Sequence, residues 1–166
     1  MKKNINMFFM QEALGQAKKA LKKKEVPVGA IVVGPDNKIL SRAYNKIEKN
    51  GCQTGHAEIL AIQKACKKLK TWRLDDCSIY ITLEPCIMCF GLIQLSRIKN
   101  LYFGAKSQEF GSGISDLKQH KLYKKDLNIV AGLKEIESVD ILKKFFTELR
   151  KLKKEKGLLC KKELRH

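Results

Sequence analysis

Two short stretches, thirty residues apart, carry side chains that bind metals: His56-Ala57-Glu58 and Pro85-Cys86-Ile87-Met88-Cys89. Cysteines three positions apart on a helix share one face, so both sulfurs can reach one ion. At the start of a helix the dipole and the free amide donors also favour thiolate over thiol. Thiolate sulfur and imidazole nitrogen suit tetrahedral zinc, and with His56 the count is three protein ligands. Structural zinc sites are normally closed by four, whereas catalytic sites keep a position for water. Cys52, four residues before His56, is the alternative fourth ligand, while His120 and His166 lie in basic segments. Glu58 has a job that matches an open site. Zinc lowers the pKa of its water from about 15.7 to about 7, and a neighbouring carboxylate can take that water's proton and pass it to a leaving group. His56, Cys86 and Cys89 are therefore the candidate metal ligands, and Glu58 the candidate proton carrier.

Elements that could position these residues are readable from periodicity. Met7, Met10, Leu14, Ala17 and Leu21 follow the 3-4-3-4 spacing of an amphipathic helix over 7–24, closed by Pro27. A strand over 28–33, the turn signal Gly34-Pro35-Asp36-Asn37 and an alternating run over 39–44 predict a hairpin. A loop over 45–55 leads to a helix from about His56 to Leu69. A strand over 78–83 follows. Pro85 then suits the first turn of a helix reaching about Arg97, where no backbone donor is needed. Strands over 100–103 and near 127–131 enclose a glycine- and serine-rich loop over 107–115. Val139, Leu142, Phe145, Phe146, Leu149 and Leu152 line one side of a last helix, and the charged residues beyond Lys153 are expected to fray. Strands alternating with helices imply a three-layer α/β/α domain around a mixed sheet. Residues 1–153 form that one domain, and 154–166 a basic C-terminal tail.

Composition narrows the setting. The 166 residues suit a single core, and 44% hydrophobic residues is ordinary for a globular chain. No run approaches the roughly 18 apolar residues that span a bilayer, so no membrane association is expected. The first apolar stretch ends at Gln11 and Glu12, too short for a signal-peptide core, and a cytoplasmic location follows. Of six cysteines only Cys86 and Cys89 are closely spaced, which argues for metal chemistry over a disulfide framework. A formal charge of +17 favours polyanionic partners, nucleic acid first. Only five of the 34 basic residues are arginine, the side chain suited to bidentate phosphate contacts, which weakens that inference.

H-x-E followed by P-C-x-x-C is the signature of zinc-dependent base deaminases, with the glutamate outside the metal shell. Around it the chain resembles the bacterial tRNA-specific adenosine deaminases of the cytidine deaminase superfamily. The resemblance is carried by Glu25-Val26-Pro27-Val28-Gly29-Ala30, Asn45, His56-Ala57-Glu58, Arg73-Leu74 and the stretch from Tyr80 to Cys89. It continues through Gly91, Ser96-Arg97-Ile98, Phe103-Gly104-Ala105 and Phe145-Phe146. It implies a cytidine deaminase-like sheet of about five strands, one Zn2+ per subunit and a homodimer with its site near the subunit contact. The implied reaction converts the wobble adenosine of an arginine tRNA to inosine, reached through the anticodon arm. It further implies that Asn45, by its position alone a turn residue, contacts the flipped adenosine.

Basic surface around such a pocket would hold flanking phosphates. Lys106, Ser107, Lys118 and Lys121 are the candidate RNA contacts, with Lys124, Lys125 and the lysines of 151–162 behind them. Two stretches depart from the family pattern. Cys52-Gln53-Thr54-Gly55 lacks the usual Pro and Ala, and Lys106-Ser107 stands where an acidic residue is typical. Two other readings compete: a deaminase of free guanine, cytosine or cytidine, and a non-catalytic zinc-stabilised RNA-binding module. The second would have no use for Glu58.

Overall fold

The computed structural model describes residues 2–107 and 127–163. The elements run α1 (Lys2–Lys22), β1 (Gly29–Val33), β2 (Ile39–Tyr44), α2 (Ile47–Asn50), a 3-10 turn (Gln53–Gly55), α3 (Ala57–Leu69), β3 (Ser78–Leu83), α4 (Ile87–Leu95), β4 (Asn100–Ala105), β5 (Asn128–Val130) and α5 (Glu135–Glu163). The strands form one sheet in the order β2-β1-β3-β4-β5. β1 is antiparallel to both β2 and β3, while β3, β4 and β5 are parallel. This is the expected mixed sheet of five strands.

Alternation along the strands assigns the layers. Ala30, Val32, Ile79, Ile81, Leu101 and Phe103 point to one face, where they pack with Ala57, Ala61, Ile62 and Ala65 of α3 and Phe90 and Ile93 of α4. Ile31, Val33 and Tyr80 point to the other and meet Phe9, Met10 and Ala13 of α1. α5 packs on that second face beside α1, against β4 and β3. Each fully buried aliphatic side chain contributes about 1.5–3 kcal/mol, so the two clusters hold the sheet between two helical layers. α1 lies unusually close to β1 because residue 29 has no side chain. A Cβ there would stand 2.1 Å from the Ala13 carbonyl oxygen and 2.5 Å from the Ala17 nitrogen.

Several boundaries differ from expectation. α1 begins at Lys2, five residues before the apolar pattern does. The 45–55 loop contains α2 and the 3-10 turn. Pro85 is not in the first turn of α4. Cys86 is extended (φ −68°, ψ 169°) and caps the helix, which begins at Ile87. α4 stops at Leu95 because the chain turns left-handed at Arg97 (φ 62°). β4 runs two residues further than expected because its pairing with β3 continues to Leu83 and Ala105. The helical backbone of α5 passes Lys153 and reaches Glu163. No helix among the described residues is long and apolar enough to cross a membrane.

Candidate metal centre and its surroundings

α3 and α4 pack side by side on one face of the sheet, and the residue capping each contributes a donor atom. His56 precedes α3, Cys86 precedes α4, and Cys89 lies in the first turn of α4. His56 Nδ1 lies 3.7 Å from Cys86 Sγ and 3.4 Å from Cys89 Sγ. Zinc bonds of about 2.3 Å to sulfur and 2.0–2.1 Å to nitrogen, at a tetrahedral angle, separate S and N by about 3.6 Å. The observed distances bracket that value, so the three atoms fit one zinc-sized ion. The group contains no fourth His, Cys, Asp or Glu donor among the described residues. Cys52 is exposed and its sulfur lies 3.1 Å from Thr54 Oγ1, so it does not close the site as a fourth ligand.

The surroundings favour a bound cation. Cys86 is held down to about 4, first by the hydrogen bond from Cys89 and also by His56. The same contact, with burial, pushes Cys89 up. His56 is raised, chiefly by its contact with Cys86, against the effect of burial. The Glu58 side chain sits in the first turn of α3 at 4% exposure. Burial raises its carboxyl above the ordinary range, with His56 partly opposing.

Asn45 directly follows β2 and is buried. Its backbone N–H donates to the Val28 carbonyl at 3.0 Å, and its Nδ2 to Glu25 Oε2 at 3.5 Å. Glu25 itself, 2% exposed, accepts from the backbone N–H groups of Glu48 (3.1 Å) and Lys49 (2.8 Å). This carboxylate therefore caps α2 and anchors the loop that runs from Asn45 to His56. The loop is closed at its far end, where Lys46 N donates to the Gly55 carbonyl at 2.8 Å. Gly55 has no room for a side chain there, since a Cβ would stand 2.8 Å from the Lys46 carbonyl carbon and oxygen. Glu25 was not among the sequence candidates. The available signal was a single acid between three lysines and the apolar run over 28–33.

Lys106, exposed, and Ser107, half-buried, follow β4 on the side of the sheet where β3 leads into Cys86. Ser107 N donates to Glu84 Oε2 at 3.1 Å, and Glu84 N to the Ala105 carbonyl at 2.8 Å, which ties the end of β4 to the segment leading into Cys86. Lys118, Lys121, Lys124 and Lys125 lie outside the described residues.

Residues 4–150 match the model of the MafB19-like deaminase family. The tRNA-specific adenosine deaminase of Bacillus subtilis is 44% identical over 88% of this chain and 91% of its own length. A structure solved in a study of A-to-I editing by tRNA:A34 deaminases superposes with a TM-score of 0.76 at 38% identity, covering 81% of this chain and 99% of that one. The Bacillus subtilis guanine deaminase is less similar, with a TM-score of 0.59 and 32% identity over 66% of this chain and 73% of its own. The chain therefore belongs to the MafB19-like deaminase family, and among its relatives it groups with the tRNA-specific adenosine deaminases.

Proposed function

We propose that this protein hydrolyses adenosine to inosine at the wobble position of an arginine tRNA, with His56, Cys86 and Cys89 holding one zinc ion per subunit. The observation that carries the reading is a buried carboxyl, Glu58, two residues from one donor of a three-donor metal group. Bound zinc supplies Lewis-acid activation of water, bringing its pKa to about 7. Glu58 takes the proton of the attacking water as the oxygen bonds to C6 of the base. It passes that proton to the ring nitrogen, then takes the remaining proton of the new C6 hydroxyl and delivers it to the amine, so that the C6–N bond breaks, the C6 carbonyl forms and ammonia leaves. A carboxyl raised by burial is better matched to such two-way transfer near neutral pH than an ordinary one. Asn45, fixed by Glu25 at the end of β2, offers a side-chain amide to the edge of the base.

Taking the target base out of a hairpin loop costs little, which favours an anticodon arm as partner. Lys106 and Ser107, which follow β4, are proposed to meet the flanking nucleotides, and Lys118 and Lys121 belong to the same proposal. Ile87, Met88 and Leu95 expose apolar surface on the metal-bearing helix, at up to 69% for Leu95, which supports a homodimer packed through α4. A cytoplasmic location goes with a tRNA substrate.

The test is a substrate panel: zinc-loaded protein with an arginine-tRNA anticodon stem-loop, and separately with guanine, cytosine, adenosine and cytidine. Inosine at the wobble position alone is the expected result. Turnover of a free base with the stem-loop untouched would overturn the assignment of substrate.

A further inference from the structure

A second feature lies beside Asn45. Lys23, Tyr44, Lys46 and Lys49 surround a cleft of ≈ 300 Å³, with Glu25 as its one acidic lining residue. The Glu25 carboxylate is already engaged by two backbone N–H groups and the Asn45 amide, so it anchors the loop rather than pairing with the lysines. Among the described residues, none of Lys23, Lys46 and Lys49 has a side-chain ion pair. Lys46 Nζ instead lies over the Tyr44 ring, 5.1 Å from its centre. The crowding of positive charge extends outward: Lys64 is lowered first by burial and then by repulsion from Lys46 and Lys19. Gathering like charges opposes the compact state, and a bound negatively charged partner offsets that repulsion.

We propose that this cleft binds backbone phosphates of the RNA next to the target nucleotide. The proposal rests on the RNA-deaminase reading above. Its placement follows from the chain: Tyr44 and Lys46 flank Asn45, and Lys46 is hydrogen-bonded to the residue preceding His56. The cleft is poorly built for gripping one isolated anion. It has no arginine fork for bidentate contact, and the amide donors that open α2 at Glu48 and Lys49 are consumed by Glu25. Flexible ammonium groups along an open cleft suit a strand recognised by charge rather than by shape.

The experiment compares wild type, a Lys23→Gln/Lys46→Gln/Lys49→Gln variant and a charge-matched Lys67→Gln/Lys68→Gln/Lys143→Gln control. All three proteins are first matched for zinc content and melting temperature. Binding of a fluorescent anticodon stem-loop is measured by anisotropy across a salt series. Each single-strand phosphate contact contributes about 0.7 to the slope of log affinity against log salt. The cleft variant should therefore lose about 2 from the slope, and the control should bind as the wild type does. Equal slopes and affinities for the two variants would overturn the proposal. So would displacement of RNA by inorganic phosphate beyond that by chloride at equal ionic strength, since it would mark a free-anion site. Inosine formation is read in the same samples. Inosine formed with the slope unchanged by the cleft variant refutes the cleft alone. A lysine-dependent slope with no inosine from wild type refutes the deaminase reading alone.

Discussion

Glu25 joins three parts of the molecule, and removing its carboxylate should separate them. Its oxygens accept backbone N–H groups of Glu48 and Lys49 at 3.1 and 2.8 Å and the Asn45 amide at the longer 3.5 Å. Hydrogen bonds to a charged group are each worth about 1.5–3 kcal/mol. The two amides are half-buried, so water would replace part of what is lost, and Glu25→Ala should cost about 2–3 kcal/mol. For a chain of this size 1 kcal/mol moves the melting temperature by about 2–4 °C, which gives a fall of about 4–12 °C. Glu25→Gln keeps one acceptor oxygen and should lose about half as much. Calorimetry measures the first quantity, and hydrogen exchange locates it. The amides of Glu48 and Lys49 should lose protection while those of β3 keep theirs. A Glu25→Ala variant that melts within 1 °C of wild type, with both amides still protected, would refute the argument that this carboxylate holds the loop.

Three further outcomes follow from packing and ligation. Gly29→Ala places a methyl 2.1 Å from the Ala13 carbonyl oxygen, so α1 must shift off β1. Overpacking of this kind costs about 1–3 kcal/mol, read as a lower denaturant midpoint. Ser138 is fully buried and its hydroxyl has no partner among the described residues. Ser138→Ala should therefore leave stability unchanged or raise it by up to about 1 kcal/mol, and a loss of 2 kcal/mol in urea unfolding would reveal a hidden partner. Cys89→Ser removes one of three donors, and elemental analysis of the purified variant should find far less than one equivalent of zinc. Full zinc occupancy would contradict the donor set.

The chemistry was legible because it is local. His56-Ala57-Glu58 and Pro85 to Cys89 each present their side chains from a single helix start, where position along the chain determines direction. β3 was readable to the residue because four consecutive buried positions, Ile79 to Ile81 and Thr82, leave no other element that fits. What escaped depends on distant contacts. α2 is four residues long, too short to stand without Glu25 more than twenty positions earlier. The extended backbone of Cys86 that moved Pro85 outside α4 is likewise not a matter of proline's own preference. Cys52 remained an alternative ligand in the sequence because separation of four residues says nothing about which way the 3-10 turn aims its sulfur. The cleft lysines come from two places in the chain, Lys23 and the 46–49 segment, which the bonds from the Glu48 and Lys49 amides to Glu25 bring together.

Glu58 is the residue on which the deamination depends most directly. Wild type and Glu58→Gln, each assayed for zinc by elemental analysis, should be incubated with the arginine-tRNA stem-loop under single-turnover conditions, with inosine quantified after digestion. Glutamine preserves shape and removes the titrating oxygen, so zinc content should be equal. General acid–base transfer is worth about 10²–10⁴-fold, and the variant's rate should fall by at least that much. A Glu58→Gln protein that keeps its zinc and still forms inosine at the wild-type rate would contradict the central claim.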